Sequence, residues 1–268
     1  MVAAAQAADG GYVLAGSSDS DYWVVKTDAR GNMEWDKFYG GPGEDILSSL
    51  TLVENGGYLL GGHTDSKSLS GKGSRAEGDF DYRIIRVDPM GNTVWERNLG
   101  GSSNDFLTCV EASRSGGFVI GGYSCSESST DKHHGSCGGY DYWVVCVNGK
   151  GEILWETTFG GSMNEKLTCI QKDRDGGYIL SGNAVVKSRV KYNPCAHNWM
   201  IKIDADGNRV WEAQIGSNTQ EYTQFKKMIP ASDYGFLLLG QTAGDSTTTD
   251  LFLTKYFPGQ ELIAKSEK

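Results

Sequence analysis

The chain has 268 residues, enough for one large β domain, and its 37 glycines against 5 prolines point to many tight turns. A formal charge of -9 gives a field that repels nucleic acid and anionic membrane surfaces, so neither is expected as a partner. No apolar stretch approaches the roughly 20 residues a membrane helix needs, so no membrane insertion is expected.

In chain order, Val2 to Ala7 predicts a first strand a, and Met1-Val2-Ala3-Ala4-Ala5 enters it without the basic segment or long apolar core of a signal sequence. That leaves a cytoplasmic chain or an exported domain without its leader; we expect the latter, located outside the cell, on its surface or in the periplasm. Gly10-Gly11-Tyr12 then opens strand b (Tyr12 to Gly16), and strand c follows at Asp21 to Lys26. The turn Asp28-Ala29-Arg30-Gly31-Asn32 suits aspartate at its start and glycine at positive φ, and the next strand, d, carries Trp35. The same four-part sentence returns with strand b at Tyr58, Phe118, Tyr178 and Phe236. Successive second glycines of the opening phrase (Gly11, Gly57, Gly117, Gly177, Gly235) lie 46, 60, 60 and 58 residues apart. Strand c recurs at Asp81 to Arg86, Asp141 to Cys146, His197 to Lys202 and Asp250 to Lys255; strand d recurs with Trp95, Trp155 and Trp211, and ends the chain at Glu261 to Ser266.

Four antiparallel strands repeated at this period signal β-propeller blades. The expected fold is all-β, a five-bladed β-propeller forming one domain, with blades near residues 1–41, 42–101, 102–161, 162–217 and 218–268. The phrases Tyr39-Gly40-Gly41-x-Gly43-x-Asp45, Gly-Gly-Tyr-x-x-x-Gly and Asp-Tyr-Trp-x-x-Lys-x-Asp-x-x-Gly-x-x-x-Trp resemble the propeller repeats of bacterial secreted and cell-surface proteins. The resemblance covers essentially the whole chain and implies an exported location; it implies no catalytic motif. The Asp-x-x-Gly-x-x-x-Trp part is also similar to the tryptophan-docking motif of quinoprotein propellers, which we read as blade mechanics rather than a quinone site. The fifth repeat departs, with Ala264 where tryptophan is expected and Tyr234 in place of a glycine.

Residues present in every repeat are expected to serve the blade, and this covers all seven tryptophans. Asp45, Asp105, Glu165 and Glu221 recur at the start of strand a. They are the acids a glycosidase or lyase would use here, or they lock one blade to the next through turn amides. The unrepeated residues concentrate between strands b and c. That connection takes six residues in blade 1 (Gly16 to Tyr22), 20 in blade 2 (Gly62 to Tyr82), 20 in blade 3 (Gly122 to Tyr142) and 16 in blade 4 (Gly182 to Asn198).

Long loops on a rigid scaffold are where binding resides. The candidate ligand-binding residues there are His63, Arg75, His133, His134, Lys187, Arg189, Lys191, Tyr192 and His197. Cys125 and Cys137 bracket the blade 3 loop and are candidates for a disulfide in an oxidising compartment. The Cys and His spacing matches no common zinc module, and no Gly-x-Ser-x-Gly elbow or phosphate-cradling loop occurs, so neither metal nor cofactor is expected. The resulting expectation is a monomeric, exported, non-enzymatic module that binds a polysaccharide or a cell-surface protein. A glycoside hydrolase or lyase and a spacer domain are the alternatives.

Overall fold

A computed structural model describes residues 1–54, 56–66, 80–186, 195–215, 222–233, 235–243 and 249–257. Every regular element among them is a β-strand, and no helix is long and apolar enough to cross a membrane. The first sheet contains β1 (Ala3–Gln6), β2 (Tyr12–Ser18), β3 (Asp21–Thr27) and β4 (Met33–Tyr39). The second contains β5 (Asp45–Leu52), β6 (Tyr58–Thr64), β7 (Asp81–Val87) and β8 (Thr93–Leu99). The third contains β9 (Asp105–Ala112), β10 (Phe118–Ser124), β11 (Asp141–Val147) and β12 (Ile153–Phe159). The fourth contains β13 (Glu165–Lys172), β14 (Tyr178–Val186), β15 (Cys195–Ile203) and β16 (Arg209–Ile215). The fifth has three strands among the described residues: β17 (Tyr222–Pro230), β18 (Phe236–Ala243) and β19 (Thr249–Tyr256). Within each sheet neighbours in sequence are hydrogen-bonded neighbours in space, the up-and-down order of propeller blades. The strand d expected at Glu261 to Ser266 lies outside the described residues.

One irregularity recurs. The register of strand a against strand b shifts by one residue at Leu47/Ser49, at Gly121/Gly122, at Leu167/Cys169 and at Phe225/Lys227. Such a bulge brings the strand a backbone against the last glycine of strand b. A Cβ on Gly62 would lie 2.0 Å from the Ile46 carbonyl, and one on Gly122 would lie 1.9 Å from the Phe106 carbonyl. No side chain fits there, nor at Gly182, 2.2 Å from the Lys166 carbonyl, which is why these strands carry glycine at that position.

The chain packs as two compact units, residues 1–136 with 143–159, and residues 137–142 with 160–268. In the first unit two kinds of contact join one sheet to the next. The Tyr22 hydroxyl donates to the Arg83 carbonyl at 3.2 Å and the Tyr82 hydroxyl to the Trp143 carbonyl at 3.0 Å, each 61 residues on. At the outer strands, Trp35 and Trp95 cover the Asp/Asn-to-Gly turn of the following sheet. Their ring carbons lie 3.0 Å from where a Cβ of Gly91 or Gly151 would stand, and the Trp95 indole N–H donates to the Gly149 carbonyl at 2.9 Å. The core beneath is aliphatic and aromatic, with Leu59, Ile84, Leu107, Ile120 and Val145 inaccessible to solvent. In the second unit Tyr142 repeats the first contact, reaching the Trp199 carbonyl at 3.2 Å, and Met200, Met228 and Leu238 sit in the core.

Candidate functional site

The repeated acids are turn clasps wherever they are described. Asp45, Asp105 and Glu165 each begin a strand, and each side chain folds back onto the glycine pair four residues earlier. The amides of Gly41, Gly101 and Gly161 donate to them at 2.8, 2.9 and 2.7 Å. A serine from the b–c connection adds a second bond: Ser66 Oγ to Asp45 at 3.1 Å, and Ser126 Oγ to Asp105 at 2.8 Å. The same serine hydroxyls accept the amides of Gly43 and Ser103, both at 3.0 Å. The long b–c connections are thus rooted on the d–a turn at their first residues, and Asp65, Cys125 and Val185 extend this by donating to the carbonyls of Glu44, Asn104 and Asn164. Backbone and carboxylate bonds of this kind fix a loop's base and leave its tip to do other work.

Each clasp has its own electrostatic setting. Asp45 is fully buried and accepts the Arg83 guanidinium at 2.7 Å. Asp105 keeps one carboxylate oxygen without a hydrogen bond, and burial raises its pKa against the pull of the Ser124 hydroxyl, the Gly101 amide, the Ser126 hydroxyl and the Lys132 ammonium. Burial also raises Glu165, and the neighbouring Asp141 carboxyl adds to that. Glu221 lies outside the described residues.

His63, at the end of β6, has a different environment. Its ring meets Phe80 and Phe106 edge-on at centroid distances of 5.3 and 5.0 Å, with interplanar angles of 84° and 87°. Phe80 and Phe106 touch at 5.5 Å, and Tyr123 joins Phe106 at 5.3 Å. The four rings are all half-buried. Burial lowers the His63 pKa, against a backbone hydrogen bond at Leu107, and its Nδ1 makes no hydrogen bond. The imidazole is neutral at neutral pH, so the patch carries no formal charge.

Sequence reasoning found His63 but missed the three rings around it. A signal was available: at the position after the strand a acid the repeats read Ile46, Phe106, Lys166 and Tyr222, so this position varies while its neighbours recur. At the corresponding place in the second unit, Lys166 Nζ lies 4.9 Å from the Tyr140 ring centroid.

The blade 3 loop wraps a lysine that the sequence did not single out. Lys132 is fully buried, and its ammonium donates to the Ser126 carbonyl at 2.8 Å and to Ser136 Oγ at 2.9 Å. Ser129 Oγ ties the loop to the Gly100 carbonyl at 2.9 Å. His133 and His134 are solvent-exposed, but both turn Nδ1 toward Glu156 Oε1, at 3.4 and 3.1 Å. The Glu156 side chain is itself only 3% exposed, and its other oxygen accepts the Trp143 indole N–H at 3.1 Å. The pair therefore pins the loop to β12. Among the described residues no group of three or more His, Cys, Asp or Glu could hold a metal ion.

Cys125 and Cys137, the candidate disulfide pair, are present as free thiols. The Cys125 amide donates to the Asn104 carbonyl at 3.1 Å, and the Cys137 amide donates to Asp141 at 2.6 Å. His197 sits half-buried in β15, its backbone opposite Ala184. Arg75, Lys187, Arg189, Lys191 and Tyr192 lie outside the described residues.

No family model matches the chain, and no curated protein matches it either. Among solved structures it is similar to hydrazine synthase from Kuenenia stuttgartiensis, with a TM-score of 0.48 and 11% identity over 86% of this chain and 61% of that one. It is similar to a mannose phosphorylase from Leishmania mexicana (TM-score 0.43, 9% identity, 93% of this chain and 85% of that chain). A GH43 endo-arabinanase from Bacillus licheniformis overlaps at a TM-score of 0.38, with 10% identity, 92% of this chain and 90% of that one. Likeness at this level assigns neither activity nor ligand. Sheets and clasps together define a serial β-repeat protein of blade-like units.

Proposed function

We propose that the five sheets close as a five-bladed propeller and that the chain is an exported, non-enzymatic recognition module. It takes a neutral glycan at the aromatic patch of His63, Phe80, Phe106 and Tyr123. The observation that carries this reading is the contrast between the patch and the acids. Asp45, Asp105 and Glu165 are occupied in turn clasps at 2.7–2.9 Å, an arrangement that weighs against their use as a hydrolytic pair. The patch combines four half-buried rings without formal charge. Aromatic faces of this kind stack on the C–H faces of sugar rings, and rooted loops supply hydrogen bonds at the rim.

The test is a glycan array run beside a hydrolysis screen on plant and mucin polysaccharides, with Phe106→Ser as the control variant. Binding without turnover, reduced at least about tenfold by the substitution, is the expected result. Turnover that survives in Phe106→Ser would establish an enzyme acting elsewhere and end this reading.

A further inference from the structure

Each strand d tryptophan is followed by an acid: Asp36, Glu96, Glu156 and Glu212. In the first three repeats this acid accepts a hydrogen bond from the third residue of strand c. The Trp23 indole N–H donates to Asp36 at 3.1 Å, the Arg83 guanidinium to Glu96 at 3.2 Å and the Trp143 indole N–H to Glu156 at 3.1 Å. The settings differ. Asp36 is exposed, and the side chains of Glu96 and Glu212 are 51% and 45% exposed, each with an arginine (Arg83 or Arg209) as its cation. Glu156 is 3% exposed, and among the described residues its ionisable partners are His133 and His134. A carboxylate taken out of water needs a cation more than an exposed one does. In the repeat where the acid is most buried, that cation is one that titrates.

Three contacts meet on one oxygen. Glu156 Oε1 accepts the His133 amide at 3.1 Å and faces His134 Nδ1 at 3.1 Å and His133 Nδ1 at 3.4 Å. The Thr158 hydroxyl adds a bond to the His134 carbonyl at 3.1 Å. The two imidazoles are 69% and 73% exposed, so they exchange protons with solvent while the loop stays closed. The root of the loop is held separately, by the Ser136 amide on the Ser126 carbonyl at 3.0 Å and by the buried Lys132 ammonium on the same carbonyl at 2.8 Å. The other charges around the rings come from the loop itself: Lys132, Asp131, and Glu127, whose Oε2 lies 3.2 Å from where a Cβ on Gly135 would stand.

We propose that His133, His134 and Glu156 form a pH-sensitive latch that tightens the tip of the blade 3 loop onto β12 as pH falls from about 8 to about 5.5. Histidine gains its charge across this interval. A hydrogen bond from imidazolium to carboxylate is roughly twice as strong as one from neutral imidazole. The latch contribution is therefore present at the acid end and is lost as pH rises and the imidazoles become neutral. Because both rings face a single oxygen, one imidazolium neutralises the buried carboxylate, and a second is opposed by the first and by Lys132. Glu156 Oε2 keeps the Trp143 indole in either state. The device does not depend on glycan binding at the aromatic patch.

Hydrogen exchange of the full chain tests it, read by mass spectrometry on a peptide spanning residues 127–136 and corrected for the intrinsic rate at each pH. Protection should rise at least about threefold from pH 8 to pH 5.5. That rise should vanish when His133→Gln and His134→Gln are combined, and also in Glu156→Gln, which keeps an oxygen for the Trp143 indole. Both histidines are exposed, so the first variant folds; a peptide spanning β7, protected alike in all three proteins, verifies this. Wild-type protection that is flat or falls toward acid pH overturns the proposal, as does a rise that persists in either variant.

Discussion

Asp105 illustrates how a clasp residue differs from a catalytic one although both show a perturbed pKa. Its carboxyl is desolvated first and hydrogen-bonded second, and the net effect is a pKa above the ordinary carboxylate value of 3.8. The folded state therefore holds the proton more tightly than the unfolded state does. The stabilisation this gives is complete below about 3.8 and is lost as pH rises through the raised folded value. Asp105→Asn keeps an oxygen for the Gly101 amide and the Ser126 hydroxyl and does not titrate. The melting temperature of this variant minus that of the wild type should therefore climb between pH 3.5 and pH 7, an interval chosen to span the shift. Thermal melts across that range test it; a flat or falling difference would mean that burial does not dominate. A hydrolytic acid would instead lose turnover while stability changed little.

At the scale of elements, a cation near the end of strand c, buried at Lys26 and Lys202, supports the turn before strand b, and its partners change with it. Lys26 is buried and pairs with Asp9 at 2.7 Å, the residue just before the first Gly-Gly. Lys202 pairs with Asp175 and Asp173, both at 2.5 Å, and Lys255 pairs with Asp233. Arg86 instead donates to the carbonyls of Val87 and Gly56, in the one repeat where the sequence has Asn55. In the third repeat the cation becomes Cys146, buried with its thiol pushed up to about 11, and the turn carries Ser113 and Ser115.

The substitutions thus come in matched sets, which is legible in one sequence only after the repeats are aligned by structure. Cys146→Lys alone buries an unpaired ammonium and should cost about 3–5 kcal/mol. Ser115→Asp alone changes an exposed residue and should stay within about 0.5 kcal/mol. Together they recreate the Lys–Asp pair, and the double-mutant cycle should return a favourable coupling of at least about 1 kcal/mol from urea unfolding. Additive effects would show that the third turn has lost the geometry of the others.

For the whole molecule, the repeat made strands and turns legible because each blade states the same local rule again. Tyr12, Tyr58, Phe118, Tyr178 and Phe236 open their strands where expected, and the acids at Asp45, Asp105 and Glu165 start theirs. The site was harder to read because its residues belong to strand ends that look regular in one dimension. Phe80, Phe106 and Tyr123 become neighbours of His63 only when β6, β7, β9 and β10 come together, and Lys132 enters the interior only because loop carbonyls and Ser136 surround it.

The net charge of -9 adds a further constraint on what such a patch can take. Anionic glycans approach against a repulsive field that salt would relieve, whereas a neutral sugar meets four rings without formal charge and is indifferent to ionic strength. We therefore expect the dissociation constant of the best array hit to change less than about twofold between roughly 0.05 and 0.5 M NaCl, over which the Debye length falls severalfold. Affinity that rises steeply with salt would identify an anionic ligand instead. Affinity that falls steeply would point to the cations Lys187, Arg189 and Lys191 of the fourth repeat, and the neutral-sugar assignment would then fail.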